Sequence, residues 1–278
     1  MKQLHLIALL VMTIIFSASA QTKIAKTAAK KHTLLIVLTH GDDIASLTPL
    51  PAKYAAEGHT VYFAIFTGLQ DSSGNGPGSR GHEELLCASR ALDIKETFVL
   101  RGRAAGEGHE NNKAIAERLI ELINQTKPDV IVKWGPDGVT GHPGHIGVGN
   151  IVTRVFQQQA LLKHKPRKLY YISYPEKLFP GEGLPIGGVS GQVPIGTVSE
   201  TFITTVVDCS LHLEKSQKAL TCHTIPDMKF IDRKEREGRG TFAEEHSKKH
   251  RTIFLGKVYL RLVFPATAGK ETDIFKSL

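Results

Sequence analysis

Cysteine is scarce in this chain, and its spacing excludes the commonest cysteine-based metal sites. Among 278 residues there are three cysteines, Cys87, Cys209 and Cys222, with no CxxC pair and no zinc-finger spacing. An odd number leaves at least one thiol outside any intramolecular disulfide. In an oxidising compartment Cys209 could pair with Cys222, and we expect Cys87 to be a buried thiol.

Several other signals are missing. Lysine and arginine exceed aspartate and glutamate by eight, but aromatic residues do not alternate with the basic ones as they do in single-strand binders. We therefore expect no nucleic-acid partner. No internal repeat is visible, and the glycine-rich stretch 74–78 opens no helix, so it is not a dinucleotide-binding fingerprint.

Residues 1–20 have the order of a secretory signal, in which Lys2 precedes an apolar run and small residues lead to Ala20. The run is shorter than the ~20 apolar residues that cross a bilayer, and no later segment is long enough. We predict cleavage near Gln21, a single domain over residues 21–278, and a secreted or periplasmic protein. After cleavage no stable membrane span is expected.

Strands and helices alternate along the rest of the chain. Short apolar runs predict strands, and amphipathic stretches with proline or glycine at their ends predict helices. This alternation predicts an α/β fold, a Rossmann-like mostly parallel sheet with helices on both faces. The loop 68–81 is long enough to be a lid or a substrate-binding segment. The predicted strands are 33–39, 61–67, 97–100, 129–134, 169–174, 202–207 and 258–264.

Imidazoles and carboxylates follow two of these strands. The first strand ends in the sequence HGDD (40–43), and the fourth leads into GHPGH (141–145). Parallel sheets bind ligands beyond the carboxyl ends of their strands, where the strand order reverses, and this point commonly lies between the first and fourth strands. We therefore expect the two clusters to meet.

A zinc ion accounts for both clusters, because two imidazoles and one carboxylate fill three positions of a tetrahedral ion and leave the fourth to water. A second carboxylate beside the ligands is then a candidate base. The alternative is structural: His40 and Asp42 cap the following helix, while His142 and His145 lie on the surface of a loop. The joint placement at two strand ends favours a site.

The two clusters, in this order, resemble the PIG-L/LmbE-like N-acetylglucosaminyl de-N-acetylase family, whose signatures are His-Pro-Asp-Asp-Glu and His-Pro-Asp-His. The resemblance extends to the stretches 52–59, 84–94 and 208–223, so that it covers most of residues 33–223. It implies a zinc-dependent hydrolase that removes the acetyl group from an N-acetylated sugar, a glycoconjugate or a related amide.

Position by position, the resemblance implies that His40, Asp43 and His145 are the metal ligands. It makes Asp42 the general base on zinc-bound water. His142 becomes the residue that stabilises the oxyanion or protonates the leaving amine. Physical chemistry is consistent with these roles, since zinc lowers the pKa of water to about 7 and an imidazole near its own pKa moves protons efficiently.

The sequence departs from the family pattern at several positions. Gly41 replaces the proline and Ile44 the glutamate of the first signature, while Gly144 stands where the second has an aspartate. That aspartate would orient an imidazole, so its loss affects the aim of His142. By the same resemblance, Arg80 and Arg167 are candidate substrate-binding residues, although both match family positions loosely.

Two other functions fit parts of the pattern. A carbohydrate-binding or vestigial module would keep the zinc without turnover, and Gly144 favours it. A non-haem iron enzyme also uses two histidines and one carboxylate, but the second carboxylate Asp42 suits hydrolysis better. The particular N-acetyl substrate and the oligomeric state do not follow from the sequence.

Overall fold

The computed structural model describes residues 30–66, 78–100, 112–179, 196–223, 241–266 and 269–278. The predicted signal, the predicted lid up to residue 77 and residues 180–195 lie outside these ranges. The described strands are β1 (Thr33–Leu38), β2 (Thr60–Ile65), β3 (Glu96–Val99), β4 (Val130–Trp134), β5 (Lys168–Ile172), β6 (Tyr174–Pro175), β7 (Thr197–Val198), β8 (Thr205–Asp208) and β9 (Lys257–Phe264).

Six α-helices join these strands in the described part of the chain. They are α1 (Pro49–Ala56), α2 (Arg80–Ala91), α3 (Asn112–Thr126), α4 (Pro143–Gln157), α5 (Leu213–Leu220) and α6 (Phe242–Thr252). Their ends follow from local chemistry. Ser79 caps α2 by accepting from the His82 N–H, and Pro143 opens α4 with the φ angle that a first helical residue needs. No described helix is long and apolar enough to cross a membrane.

The central sheet has seven strands in the order β3-β2-β1-β4-β5-β9-β8. Strands β1 to β5 run parallel, and β9 pairs antiparallel with both β5 and β8. The predicted α/β fold with a mostly parallel sheet is confirmed. The strand order reverses between β1 and β4, as expected, so that the residues after these two strands face one crevice.

Alternate residues of the strands pack into two apolar layers, one on each face of the sheet. In β1, Leu34 and Ile36 face the layer with α1, α2 and α5, whereas Leu35 and Val37 face the layer with α3 and α4. Burial on both faces explains why this strand is almost continuously apolar. The sheet is therefore a rigid base for the loops at its carboxyl edge.

The disulfide differs from our expectation. Cys87 of α2 bonds to Cys222 just after α5, while Cys209 is the buried free thiol. The expectation that Cys87 is a buried thiol is wrong, and the possible pairing of Cys209 with Cys222 does not form. The disulfide depends on the packing of α2 against α5, which brings together two cysteines 135 residues apart. The spacing of cysteines in the sequence does not predict this packing.

Candidate metal centre

The turn after β1 fixes one carboxylate of the site. Residues Asp42–Ser46 form a short 3₁₀ helix, which we call the aspartate turn. The Oδ2 atom of Asp43 accepts the backbone N–H groups of Thr39 at 3.0 Å and His40 at 2.8 Å, and the indole N–H of Trp134 at 3.2 Å. With three donors on Oδ2, the other oxygen, Oδ1, is directed to the neighbouring imidazoles.

The turn between β4 and α4 supplies the facing histidine. Gly138 has a φ of +66°, and a Cβ there would lie 2.9 Å from the Cβ of His145, so the close approach requires glycine. The carbonyl of Gly138 lies 3.0 Å from Nδ1 of His145. A proton on Nδ1 satisfies this carbonyl and leaves the Nε2 lone pair for a ligand. The ring stacks on Trp134 with 4.7 Å between centroids.

Three ligand atoms converge between the two turns. The Oδ1 atom of Asp43 lies 3.1 Å from His145 Nε2 and 3.6 Å from His40 Nδ1, and the two nitrogens are 3.2 Å apart. A tetrahedral zinc with bonds of about 2.0–2.2 Å separates its ligand atoms by roughly 3.3–3.6 Å. The donor set and its spacing therefore fit this ion.

The electrostatics of the cluster also favour a cation. Burial alone would raise the pKa of Asp43, but the imidazoles of His145 and His40 outweigh burial and hold this pKa well below its ordinary value. For His145, burial lowers the pKa, but the facing carboxylate of Asp43 outweighs it and raises the pKa. The carboxylate thus stays ionised and attracts positive charge to the point where the three atoms meet.

His142 and Asp42 flank this point. Ligand atoms of His40, His142 and His145 lie within 4.8 Å of one another, and so do those of His40, Asp42 and Asp43. The Nδ1 atom of His142 accepts the N–H of Gly144 at 3.1 Å and caps α4. The Nδ1 atom of His142 is thus engaged with the backbone, and the ring lies beside the point where the three ligand atoms meet.

The same hydrogen bond bears on Gly144. We expected that a glycine at this position would leave His142 without an orienting group. The structure shows that the backbone of Gly144 orients the ring instead, from the second position of α4, and that its carbonyl accepts the Thr39 hydroxyl at 3.3 Å. The Gly144 N–H donates to Nδ1 of His142, whereas the carboxylate of an aspartate would accept a hydrogen bond from the ring.

The two arginines lie in different places. Arg80 opens α2, with a mostly exposed side chain whose Nε donates to Glu84 at 3.2 Å. Its substrate role remains a prediction. Arg167 is exposed, and its backbone N–H donates to the carbonyl of Asp129, just before β4 begins. This is the sheet edge opposite the metal centre, so we leave Arg167 out of the proposed site.

Sequence reasoning missed Trp134, which supports the cluster, and the buried lysine that precedes it in β4. Trp134, the last residue of β4, both donates to Asp43 and stacks on His145. Lys133 is fully buried, its Nζ donates to the carbonyl of Gly149 on α4 at 2.6 Å, and it lies over the ring of Tyr171. Burial lowers the pKa of Lys133 to about 7. A lysine in a strand that is otherwise apolar was the available signal.

The family model "PIG-L: GlcNAc-PI de-N-acetylase" matches residues 35–156, which include both turns of the metal centre. A Thermobifida fusca protein, 1D-myo-inositol 2-acetamido-2-deoxy-alpha-D-glucopyranoside deacetylase, is 28% identical over 287 residues, covering 87% of this chain and 98% of that enzyme. The similarity to this relative thus extends well beyond the two turns.

Solved structures share the fold at low sequence identity. An N,N'-diacetylchitobiose deacetylase from Pyrococcus horikoshii superimposes with a TM-score of 0.53 at 14% identity, covering 83% of each chain. The 4-carboxy-2-hydroxymuconate hydratase GalB from Pseudomonas putida KT2440 superimposes with a TM-score of 0.57 at 13% identity, covering 86% of this chain and 99% of that one. The fold is therefore shared by a deacetylase and a hydratase, and it alone does not determine the reaction.

Proposed function

Because residues 35–156 of this chain match the PIG-L family model, we propose that the protein is a zinc-dependent hydrolase that removes the acetyl group from an N-acetylglucosamine-type sugar. The observation that carries this proposal is the convergence of His40 Nδ1, Asp43 Oδ1 and His145 Nε2 at mutual distances of 3.1–3.6 Å. The acetamido sugar in the name of the Thermobifida fusca relative supports the substrate class.

His40, Asp43 and His145 would hold the zinc. A zinc ion bound there supplies a Lewis acid that polarises the acetyl carbonyl and makes water acidic enough to attack at neutral pH. The indole N–H of Trp134 and two backbone N–H groups donate to Oδ2 of Asp43. These bonds fix the orientation of the carboxylate, so that Oδ1 faces the metal position.

Asp42 is the proposed general base. It opens the aspartate turn directly before a ligand, is only partly buried, and its carboxylate lies within 4.8 Å of the ligand atoms of His40 and Asp43. From this position it accepts the proton of the attacking water as the C–O bond forms. A carboxylate held by three N–H donors, as in Asp43, is a weaker base and is better suited to binding the metal.

His142 is the proposed oxyanion-stabilising residue. Its Nδ1 accepts the Gly144 N–H, so the proton of the neutral ring resides on Nε2. From Nε2 the ring can donate a hydrogen bond to the developing oxyanion, while the proton that Asp42 accepts from the water passes to the departing nitrogen as the C–N bond breaks. The products are acetate and a free amine. Arg80, at the start of α2, is retained as a candidate contact to the sugar.

Export is part of the proposal. The signal-like order of residues 1–20 supports a secreted or periplasmic enzyme, and the disulfide between Cys87 and Cys222 is of the kind that persists in oxidising compartments. Its substrates would then be extracellular or envelope sugars. Comparing the N-terminus of the exported protein with Gln21 tests the proposed cleavage.

A panel of N-acetylated sugars, assayed for acetate release with and without a chelator, tests the proposed reaction. We expect release that a chelator abolishes and added zinc restores. Asp42→Asn should keep the zinc and lose about 10²- to 10⁴-fold in kcat, while Asp93→Asn, an exposed carboxylate on another loop, serves as the matched control. Zinc-loaded protein that releases no acetate from any sugar would favour the binding module that Gly144 suggests. Bound iron with oxygen consumption would favour the non-haem iron enzyme.

A further inference from the structure

The far side of the aspartate turn is held by a residue outside the region that matches the family. His250 lies on α6, and its Nε2 donates to the carbonyl of Ala45 at 2.7 Å. Ala45 follows Asp43 by two residues. Both His250 and Ala45 are buried, with exposed fractions of 3% and 2%, so water does not compete for this bond.

The carbonyl of Ala45 needs such a partner. It lies near the end of a 3₁₀ helix, where the last carbonyl groups have no N–H partner within the helix. A buried carbonyl without a donor destabilises the conformation that carries it. The imidazole supplies the donor, and the bond therefore favours the conformation of the turn in which Asp42 and Asp43 face the histidines.

A capping box and apolar packing hold helix α6, which carries His250, in place. At its start Thr241 and Glu244 form a reciprocal capping box, in which the Thr241 hydroxyl accepts the Glu244 N–H at 3.2 Å and the Glu244 carboxylate accepts the Thr241 N–H at 2.7 Å. Ala243 packs with Ala45 and Leu220 in a small apolar cluster. The helix thus contacts the aspartate turn through packing as well as through His250.

The imidazole is held in the state that the bond requires. Burial lowers the pKa of His250, which keeps the ring neutral with its proton on Nε2. Among the described residues no group bonds to its buried Nδ1. An apolar residue would leave no nitrogen without a partner, but it would lose the bond to Ala45. Among the described contacts, that bond is therefore the polar interaction that the imidazole provides.

We propose that His250 is a positioning residue of the metal centre: its bond to Ala45 holds the aspartate turn so that Asp43 presents Oδ1 to His40 and His145. This inference rests on the proposed zinc site and adds a residue beyond the family match. It does not require the acetamide reaction, because its readout is zinc affinity.

The test compares three variants of the full mature chain. His250→Leu removes the donor, and His250→Gln keeps a donor, because the glutamine amide nitrogen can occupy the place of Nε2. His32→Leu is the control, since His32 is also a buried histidine, but it bonds to Asp129 at the opposite sheet edge. Zinc affinity is measured by competition with a chelating dye, and folding by urea unfolding.

We expect zinc binding by His250→Leu to weaken by about 10- to 100-fold, the range for groups that orient a ligand, with His250→Gln restoring most of it. His32→Leu should lose stability and keep its zinc affinity. Folded His250→Leu with wild-type affinity would overturn the inference, and so would a glutamine variant as weak as the leucine one.

If His250→Leu does not fold, His250→Gln and His250→Asn decide. The shorter asparagine cannot reach Ala45, and equal zinc affinities for these two variants would overturn the inference. Wild-type protein that binds zinc but releases no acetate would contradict the proposed function and leave this inference standing.

Discussion

Both edges of the central sheet gather histidines and aspartates, but among the described residues only the carboxyl edge brings their ligand atoms together as a possible cation site. At the carboxyl edge three ligand atoms face one another at 3.1–3.6 Å. At the opposite edge His32 Nδ1 bonds to Asp129 Oδ2 at 3.3 Å, and His59 Nδ1 accepts the backbone N–H of His32 at 3.1 Å.

The histidines of the opposite edge are used as aromatic rings. His32 and His59 pack on Phe275, with centroid distances of 4.8 Å and 4.4 Å. The Nδ1 atoms of His32 and His59 bond to separate partners. By contrast, His40 Nδ1 and His145 Nε2 face each other. A cluster of imidazoles and carboxylates therefore indicates a metal site when its lone pairs converge, and composition alone does not distinguish the two edges.

The strongest test of this difference removes one histidine from each edge. We expect His145→Ala to lose the zinc and to lower kcat/KM by more than about 100-fold, beyond the range of residues that only orient a ligand. His32→Ala should unfold at lower urea but keep zinc and activity. Metal analysis and unfolding curves of both variants decide, and zinc loss in both would erase the distinction between the edges.

Trp134 tests whether the carboxyl edge depends on its supporting donors. Trp134→Phe keeps much of the ring that stacks on His145 and removes the N–H that donates to Asp43 Oδ2. We expect zinc affinity to fall by about 10-fold or more with a smaller change in the free energy of unfolding. The control is Tyr62→Phe, a remote ring on β2. An unchanged zinc dissociation constant would show that the backbone donors suffice.

The two edges should also respond to pH with opposite signs in metal-free protein. Burial and then the charge of His32 lower the pKa of His59, so the unfolded chain takes up this proton first and stability is lost as the pH falls through about 6.5. Burial lowers the pKa of His145, but Asp43 raises it overall, so its contribution is full below about 6.5 and is lost as the pH rises through the folded pKa.

Urea unfolding in chelator on both sides of that pH measures these contributions. His59→Phe should flatten the acid side of the stability profile, and His145→Ala the basic side. If both variants changed the same side of the stability profile, the assignment of His59 to the acid side and His145 to the basic side would be wrong.

The smallest expected effect concerns Gly41, which precedes the aspartate turn with a φ of −67°. This angle is the one that proline imposes, and the family signature has proline there. We expect Gly41→Pro to raise the free energy of unfolding by about 0.4–1 kcal/mol through the unfolded state, with zinc affinity unchanged. A destabilised variant would mean that the backbone N–H of Gly41 is needed.

Much of the fold could be predicted from the sequence, because strands buried on both faces read as short apolar runs such as Leu34–Leu38. The meeting of the HGDD and GHPGH turns followed from the strand order. The predicted resemblance to the PIG-L family is confirmed by the match over residues 35–156, and the relatives bear out the predicted class, a de-N-acetylase. Zinc and the role of Asp42 remain predictions.

Other features depended on contacts that no local pattern encodes. The partner of Cys222 and the contact of Trp134 with Asp43 are set by packing between elements far apart in the chain. Helix α6 is a different case, since the capping box Thr241–Glu244 is present in the sequence and was overlooked. The role of His250 needed the structure, because a buried imidazole on a charged helix resembles a surface residue in the sequence.

Diffraction at the zinc absorption edge from crystals of the mature protein tests the central claim most directly. We predict one strong anomalous peak per chain, within bonding distance of His40 Nδ1, Asp43 Oδ1 and His145 Nε2, at about 2.0–2.2 Å from each, and none at His32 and His59. A peak bonded to His142 in place of Asp43, or no peak between the two turns in zinc-soaked crystals, would contradict the account.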